Sequence, residues 1–290
     1  MVEIPLTAAD GQPLTVDEVR PTGRPRGVLV FAHAMMADRR TWWRAGAAQA
    51  FVDDGWIAWT LDLRGRRGAP ADHYRYADHV RRDLPAAVAA ARTHHPGLPV
   101  ALVGHSLGAH AGLAAIAEGC VAVDAWVGFG ANIWLPSLEP SRRLRARKAL
   151  TLAAFARMAR WYGRFPSRRL RVGPVDEAAG FVDDLTGFWT AGRWVAPDGF
   201  DWGAALAQVT VPCLSVLSDG DRWMAHPVAA SAWIRPVPDH TVLRLAGPPG
   251  VAPDHMALVT SPIGGRGWRG ASDWLTARLA VPSDSVGARG

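Results

Sequence analysis

Val100-Ala-Leu-Val-Gly-His-Ser-Leu-Gly-Ala-His-Ala-Gly112 is the stretch that decides the fold of this chain. An apolar, β-branched run meets a serine flanked by glycines, and an alanine-rich segment that favours a helix follows. Such a strand, tight turn and helix form a nucleophile elbow. Gly104 and Gly108 flank the turn, where a side chain would strike the neighbouring strand or helix. The pattern predicts an exposed Ser106 hydroxyl at the C-terminal edge of a sheet, above a helix N-terminus whose N–H groups stabilise negative charge.

Strand and helix patterns alternate on both sides of this turn. The dipeptide Asp10-Gly11 predicts a hairpin within residues 1–20. Further strands are predicted at 27–34, 56–61, 100–103, 123–129, 212–217 and 241–245, and helices at 42–51, 77–94 and 267–280. This alternation predicts the α/β class, with a doubly wound, mostly parallel sheet.

Residues 132–200 break the alternation. They are too long for an ordinary connection and are rich in Trp, Phe, Arg and Pro. We interpret them as a helical cap, inserted between sheet strands over the edge that carries Ser106. The expected organisation is a core of residues 1–131 and 201–282, the cap at 132–200 and a flexible tail at 283–290.

The composition is that of an ordinary globular protein, with 49% hydrophobic and 20% charged residues. No segment approaches the roughly 18–20 apolar residues that span a bilayer. Residues 1–10 lack the pattern of a signal peptide, so a cytoplasmic location is predicted. Cys120 and Cys213 lie in apolar stretches and are interpreted as small core residues, with a disulfide between them left open.

The net charge of +6 arises largely from one segment. Residues 142–171 hold ten arginines and one lysine without an Asp or Glu, and their apolar residues recur at helical spacing. A solvated face of a cap helix is one interpretation. The alternatives are a site for an anionic substrate group, for an acidic acyl carrier protein, or for an anionic membrane surface. No nucleic-acid partner is expected, because no recognition motif occurs.

Four motifs, in chain order, resemble those of the α/β-hydrolase superfamily, and the resemblance covers nearly the whole chain. They are His33-Ala34-Met35-Met36, Asp62-Leu63-Arg64-Gly65, the turn at Ser106, and Ser218-Asp219-Gly220-Asp221 followed by Asp254-His255. The chain is most similar to poorly characterised, capped bacterial hydrolases whose oxyanion loop reads His-Gly-Met-Met. Ala34 replaces the usual glycine of that loop, and its methyl group narrows the approach of the backbone.

The resemblance implies a catalytic triad in the chain order serine, acid, histidine. Ser106 would be the nucleophile, and His255, in a loop after the final strand, would be the base. The spacing in the family places the acid at Asp221, with Asp219 as the alternative.

The resemblance also implies an oxyanion hole formed by the backbone N–H groups of Met35 and Leu107. No metal or other cofactor is expected, since no Cys/His ligand spacing occurs. Residues near the motifs, together with cap aromatics, are expected to line a substrate pocket. They are His33, Ala34, His105, Trp134, Trp161, Phe188 and Trp189.

The expected activity is hydrolysis of a small carboxylic ester through an acyl-enzyme on Ser106. A thioesterase or acyltransferase that uses the same triad on an acyl-CoA or acyl-carrier substrate is the nearest alternative. A non-catalytic binding protein on a hydrolase scaffold is the second. Epoxide and haloalkane chemistry is disfavoured, because relatives with those activities have Asp at the position of Ser106.

Overall fold

A computed structural model describes residues 1–69, 72–248 and 250–279 of the chain. Eight strands form one sheet, and two short strands pair apart from it. The strands are β1 (Val2–Thr7), β2 (Pro13–Val19), β3 (Val28–Ala32), β4 (Ile57–Asp62), β5 (Val100–His105), β6 (Ala125–Phe129), β7 (Arg164–Phe165), β8 (Glu177–Ala178), β9 (Cys213–Ser218) and β10 (His240–Leu245). The helices are α1 (Ala47–Asp53), α2 (Tyr76–Asp78), α3 (Leu84–His94), α4 (Leu107–Ala117), α5 (Arg142–Tyr162), α6 (Ser167–Leu170), α7 (Ala179–Ala191), α8 (Trp202–Ala205), α9 (Pro227–Ile234), α10 (Ala257–Thr260) and α11 (Gly265–Arg278).

The main sheet has the strand order β1-β2-β4-β3-β5-β6-β9-β10. β1 and β2 form the predicted antiparallel hairpin, and β2 is antiparallel to β4. All other neighbours in the sheet run parallel. The five neighbouring strands β4, β3, β5, β6 and β9 are buried along their whole length. Burial on both faces explains their continuous apolar sequences, and the predicted mostly parallel sheet is confirmed.

Helices cover both faces of the sheet, so the fold has two apolar cores. Val28, Val30 and Ala32 of β3 belong to the core that includes α3 and α4. Leu29 and Phe31 belong to the other core, with α1 and α11. Successive side chains of a strand point to opposite faces, and β3 therefore contributes to both cores. This is the doubly wound arrangement that the sequence predicts.

Two predicted helices differ in detail from the structure. The helix expected at 42–51 is divided, because Gly46 adopts a left-handed conformation (φ 82°) between a 3-10 turn at Arg39–Trp42 and α1. The helix expected at 77–94 is present, but α2 and α3 are joined by a π-helical turn, His79–Asp83. Asp83, at the end of that turn, accepts hydrogen bonds from the backbone and side chain of Arg64.

The Asp62-Leu63-Arg64-Gly65 motif links the loop that follows β4 to the turn of the N-terminal hairpin and to the turn that begins at Arg39. Asp62 accepts a hydrogen bond from the backbone N–H of Arg39 at 2.9 Å and also binds its guanidinium. Arg64 donates to Asp83 at 2.8 Å and to Asp10, in the hairpin turn, at 2.8 Å. All of these groups except Asp10 are buried. The motif therefore has a structural role, and it fixes the loop that follows β4.

Between β6 and β9 the chain leaves the sheet and forms five elements, α5, β7, α6, β8 and α7, before α8 leads back. Ser141 caps α5 by accepting a hydrogen bond from the N–H of Leu144 at 3.1 Å, and the helix ends at Gly163, where φ is 71°. The division into a core and a cap at residues 132–200 stays a prediction. The tail predicted at 283–290 lies outside the described residues. No helix within the described ranges is long and apolar enough to cross a membrane.

His110, on α4, is a buried titratable group of the fold. Its Nδ1 lies 2.9 Å from the Tyr76 hydroxyl, and the two rings stack with centroids 5.5 Å apart. Burial lowers the pKa of His110 to about 3, well below the value of about 6.5 expected in an unfolded chain. Between these two values the unfolded state binds one more proton than the folded state.

Acidification below about pH 6.5 is therefore expected to lower the free energy of unfolding, by about 1.4 kcal/mol per pH unit from His110 alone. Replacing this imidazole in His110→Gln should make the dependence on pH shallower by up to this amount between pH 4 and 6. Urea unfolding followed by circular dichroism measures the slope. The control is His73→Gln, at an exposed loop position. An unchanged slope in His110→Gln would contradict the assignment.

Candidate active site

Ser106 lies in the tight turn between β5 and α4 in a conformation that side-chain-bearing residues rarely adopt (φ 51°, ψ −113°). A Cβ atom at Gly104 would lie 2.3 Å from the Cα of Ala109. A Cβ atom at Gly108 would lie 2.3 Å from the carbonyl oxygen of Ala32. The prediction that both flanking positions must be glycine-sized is confirmed.

His255 and Asp221 form a buried hydrogen-bonded pair. The Nδ1 atom of His255 donates to Oδ2 of Asp221 at 2.5 Å, and Oδ1 accepts from the N–H groups of Met224 and Ala225, both at 3.0 Å. Burial opposes ionisation of Asp221, but the His255 imidazole and the N–H of Ala225 hold the pKa of the carboxyl below its usual value. With its proton on Nδ1, the ring keeps a lone pair on Nε2. That atom has no hydrogen-bond partner among the described residues.

The two candidate acids occupy different surroundings. Asp219 accepts a hydrogen bond from the guanidinium of Arg244 at 2.6 Å near the surface, whereas the ion pair of His255 is with Asp221. The intervening loop is fixed by Ser218, whose hydroxyl donates to the carbonyl of Pro253 at 2.5 Å and accepts from the N–H of Gly220 at 3.2 Å. Ser218 therefore joins the loop that carries Asp221 to the loop that carries His255. The geometry favours Asp221 over Asp219.

Two backbone N–H groups near Ser106 are free. Met35 lies in a turn closed by a hydrogen bond from the N–H of Ala37 to the carbonyl of Ala34 at 3.3 Å, and Leu107 is the first residue of α4. Neither the N–H of Met35 nor that of Leu107 has an acceptor in the described part of the chain. Both residues line the same cavity as Ser106. Free donors in such a place can stabilise an oxyanion.

A buried carboxylate, Glu177 on β8, connects the cap segment to this turn. It accepts hydrogen bonds from the backbone N–H of Met36, from Arg66 at 2.7 and 3.2 Å, and from the Tyr74 hydroxyl at 2.5 Å. Arg66 and Glu177 are both inaccessible to solvent. The ion pair between them compensates two charges that would each be costly to bury alone. Met36 has φ 59°, and the bond from its N–H fixes the orientation of the Met35–Met36 peptide. Sequence reasoning missed Glu177, because 111 positions separate it from Arg66.

Ser106 and His255 line one cavity of about 830 Å³. Its walls come from the sheet edge, from the cap segment and from the loops that follow β9 and β10. Most of its lining is apolar, and the larger apolar residues are Met35, Met36, Leu107, Ile133, Trp134, Leu152, Phe155, Phe181, Leu185, Phe188, Trp223, Met224 and Met256. Three arginines, Arg44, Arg171 and Arg222, also line it.

Three of the seven predicted pocket residues line this cavity: Ala34, Trp134 and Phe188. The other four are absent from its lining, so their predicted role is corrected. Trp161 is 76% exposed on the outside of α5, and Trp189 is buried on α7 without reaching the cavity. His33 and His105 are fully buried and do not line the cavity.

His33 and His105 have structural roles. Since Nε2 of His33 accepts from the N–H of Leu63 at 3.2 Å, its Nδ1 carries the proton and donates to the carbonyl of Ala34 at 2.8 Å. Nε2 of His105 donates to the carbonyl of His255 at 2.9 Å. Burial lowers the pKa of both, to about 3 for His105, so both rings are neutral.

Asn132 is a further cavity residue that sequence reasoning missed. It follows β6, is only 7% exposed, and lines the cavity with both amide atoms lacking a partner among the described residues. An unsatisfied buried amide of this kind can bind a polar group of a ligand. No motif marks this position in the sequence. Within residues 1–69, 72–248 and 250–279, no group of three or more His, Cys, Asp or Glu side chains could hold a metal ion.

Comparisons with solved structures show the fold. A soluble variant of monoglyceride lipase from Saccharomyces cerevisiae, determined with a substrate analogue, is 16% identical, with a TM-score of 0.68 and 94% of both chains covered. An esterase from Pyrococcus furiosus is 13% identical, with a TM-score of 0.67 over 95% of this chain and 90% of that one. An esterase domain from Rhodothermus marinus is 16% identical, with a TM-score of 0.62 over 96% of this chain and 98% of that one.

Sequence comparison shows the family. A monoacylglycerol lipase of Mycolicibacterium smegmatis is 33% identical over 100 residues, which are 34% of this chain and 35% of that relative. Residues 23–189, more than half of the chain, match the family described as serine aminopeptidase, S33. The chain has the α/β-hydrolase fold and belongs to the S33 serine hydrolase family.

Proposed function

We propose that this chain is an esterase that hydrolyses a carboxylic ester through an acyl-enzyme on Ser106. His255 acts as the base and Asp221 as the acid that orients it. One observation carries this proposal. The His255 ring is held at Nδ1 by Asp221 and presents an unpaired Nε2 in the cavity that Ser106 also lines. This is the tautomer that a base for a serine hydroxyl requires.

Acylation follows from these positions. As Ser106 Oγ attacks the ester carbonyl, Nε2 of His255 takes the hydroxyl proton, and Asp221 stabilises the imidazolium that forms. The N–H groups of Met35 and Leu107 donate to the oxyanion of the tetrahedral intermediate. When the intermediate collapses, the ester C–O bond breaks, and His255 gives its proton to the leaving alcohol.

Deacylation repeats the sequence with water as the nucleophile. Nε2 of His255 takes a proton from the water as its oxygen attacks the acyl carbon. Collapse of the second intermediate breaks the bond to Ser106, and the imidazolium returns its proton to Oγ. The carboxylic acid leaves and the triad is regenerated, so each turnover consumes one ester and one water.

The lining of the cavity favours an apolar acyl group. A volume of about 830 Å³ with a mostly apolar wall suits a chain of medium length rather than acetate. The unpaired Asn132 amide can bind a hydroxyl or carbonyl of the substrate. The names of the similar proteins, which include monoacylglycerol lipase and esterase, support an ester of this kind.

Peptide chemistry fits the cavity less well, although the family is described as serine aminopeptidase. An aminopeptidase has to bind a substrate ammonium group, for which a carboxylate is the natural partner. In the described lining, the carboxylates are Asp221, which binds His255, and Asp254, which accepts from the N–H of Ala257. Three arginines line the same space. We therefore expect no hydrolysis of aminoacyl-p-nitroanilides.

The arginines favour one second candidate. Arg44, Arg171 and Arg222 could hold an anionic group, such as the phosphates of an acyl-CoA, which would make the chain a thioesterase or acyltransferase with the same triad. Faster turnover of acyl-CoA than of p-nitrophenyl esters, or transfer that exceeds hydrolysis when an alcohol acceptor is added, would support this candidate. The unpaired Nε2 of His255 weighs against a non-catalytic binding protein.

Substitution of the acid tests the triad. We expect Asp221→Asn to lower kcat on p-nitrophenyl octanoate by roughly 10³- to 10⁴-fold, because the amide no longer fixes the tautomer or stabilises the imidazolium. Ser106→Ala should reduce hydrolysis to the background rate. Initial rates across a series of acyl chain lengths measure both effects.

The matched control is Asp219→Asn, which removes the alternative acid at the surface. This variant should keep its activity within about twofold, since surface changes of this kind have small effects. Equal losses in the two aspartate variants, or a loss only in Asp219→Asn, would contradict the assignment of Asp221.

Glu177 is expected to position the turn that carries Met35. In Glu177→Gln the bond to Met36 and the charge balance with Arg66 are weakened, so the turn that holds the N–H of Met35 is less firmly fixed. We expect kcat to fall by about 10- to 100-fold, less than the cost of deleting an oxyanion donor outright. KM should change little, because the apolar wall stays in place. Steady-state kinetics across an ester series separates the two parameters.

Asp184→Asn provides the matched control. Asp184, on α7, binds Arg75 and accepts from the backbone N–H of Tyr76 at 2.9 Å, so it is a second ionic contact between the cap segment and the core. We expect this variant to lower Tm by an amount similar to Glu177→Gln while keeping kcat. A parallel loss of kcat in both variants would assign Glu177 a purely structural role.

A further inference from the structure

The outer face of α5 carries large apolar side chains that no other part of the described chain covers. Leu150 is 73% exposed and Trp161 is 76% exposed. Arg143 and Arg157 lie seven residues before and after Leu150, and Trp161 lies eleven residues after it. At 3.6 residues per turn, these spacings place all four side chains on one face. The opposite face, with Leu144, Leu152, Ala156 and Ala159, is buried against the protein.

The surroundings of this face are strongly positive. Ten arginines lie between Ser141 and Val175 without an Asp or Glu among them: Arg142, Arg143, Arg145, Arg147, Arg157, Arg160, Arg164, Arg168, Arg169 and Arg171. In the described part of the chain, none of the ten forms an ion pair with a carboxylate. Lys148, the one lysine of the segment, is instead buried and bound to Glu139 at 2.6 Å. The arginine charges are therefore available to an external anion.

Further exposed apolar residues lie at the end of α5 and in the segment that follows it. Tyr162 ends that helix, and Leu170 and Val172 follow within the same arginine-rich segment. Val172 is 59% exposed and also lines the cavity, together with Arg171, Gly173 and Pro174. Val172 is therefore both exposed and part of one wall of the cavity that contains Ser106.

We propose that the outer face of α5, with the adjoining residues Tyr162, Leu170 and Val172, binds the surface of an anionic phospholipid bilayer. Arginine guanidinium groups donate hydrogen bonds to lipid phosphates and are attracted to the negative surface. The indole of Trp161 and the side chain of Leu150 enter the boundary between headgroups and acyl chains. Exposed aromatic and aliphatic groups among basic residues are typical of helices that lie in this interface.

The shape and charge of the patch argue against the other occupants. A second copy of this chain, packed face to face, would bring two sets of unpaired arginines together, and like charges repel. An acidic protein such as an acyl carrier would satisfy the arginines. It would also need a pocket or groove for Leu150 and Trp161, which project from a convex helix. A bilayer accepts such projecting side chains without a matching cavity.

Docking in this way would bring the wall formed by residues 171–174 to the lipid surface. A lipophilic ester could then pass from the bilayer into the cavity without crossing water. This consequence rests on the proposed function, whereas the binding itself does not. A measurement of binding therefore tests the docking surface independently of whether Ser106 is a nucleophile.

The test is flotation of the full chain with vesicles of phosphatidylcholine, with or without phosphatidylglycerol. We expect binding only when phosphatidylglycerol is present, and weaker binding as salt is raised. Removing the apolar groups in the double variant Leu150→Ser with Trp161→Ala should lower the partition coefficient by about tenfold or more. Removing two charges in Arg143→Ser with Arg157→Ser should lower it by roughly fivefold per arginine.

Each variant has a matched control elsewhere on the surface. Val228→Ser removes an exposed apolar side chain from α9, and Arg235→Ser with Arg269→Ser removes two exposed arginines outside the cap segment. These variants should bind vesicles as the unaltered protein does. Circular dichroism and hydrolysis of a water-soluble ester report on folding, since Leu150, Trp161, Arg143 and Arg157 do not line the cavity.

Brominated lipids add a readout of depth. They should quench the fluorescence of the unaltered protein more than that of Trp161→Phe, because the indole at 161 enters the interface. We call the two double variants on the outer face of α5 the face variants. The proposal is overturned if the protein does not float with anionic vesicles, or if the face variants bind vesicles as the control variants do. Binding to an acidic carrier protein without vesicle binding, or a dimer that the face variants dissociate, would also overturn it.

Discussion

The candidate site depends on one steric constraint, the lack of space around the turn at Ser106. Ala109 and the carbonyl of Ala32 approach so closely that neither flanking glycine could carry a side chain. This crowding holds Ser106 at a positive φ, which a serine would not adopt unaided. The same turn starts α4 at Leu107 and leaves its N–H free. One packed junction thus presents both the hydroxyl and a donor for the charge that attack on a carbonyl creates.

The other groups of the candidate site come from distant parts of the chain, and buried polar contacts hold them near this turn. Asp221 fixes the tautomer of His255, and Ser218 links the loops that carry them. Glu177 performs the corresponding task on the other side, where it binds the N–H of Met36 and balances the charge of Arg66. A buried carboxylate without these partners would be costly. Residues 132–200 are therefore joined to the turn at Met36 by buried hydrogen bonds, and they also contribute to the wall of the cavity.

Local patterns predicted the parts of the structure that local forces determine. The buried strands appear as continuous apolar runs, and the turn at Ser106 appears as glycines around a serine. The pair Asp221 and His255 could be proposed only through resemblance to a family, because 34 positions separate them. The prediction that Trp161 lines the pocket is wrong, because it rested on the aromatic content of residues 132–200, and content alone does not show which side chains point inward. Glu177 and Asn132 carry no local signal, because their partners or their isolation arise only from the tertiary fold.

The most direct test of the account is intact-protein mass spectrometry after treatment with an alkyl phosphonate ester that mimics the tetrahedral intermediate. The account predicts one covalent adduct per chain, which peptide mapping places on Ser106. The adduct should form slowly in a variant that lacks the His255 imidazole, because the hydroxyl then has no base. No adduct on folded protein, or an adduct on a residue outside the cavity, would contradict the central claim that Ser106 is the nucleophile.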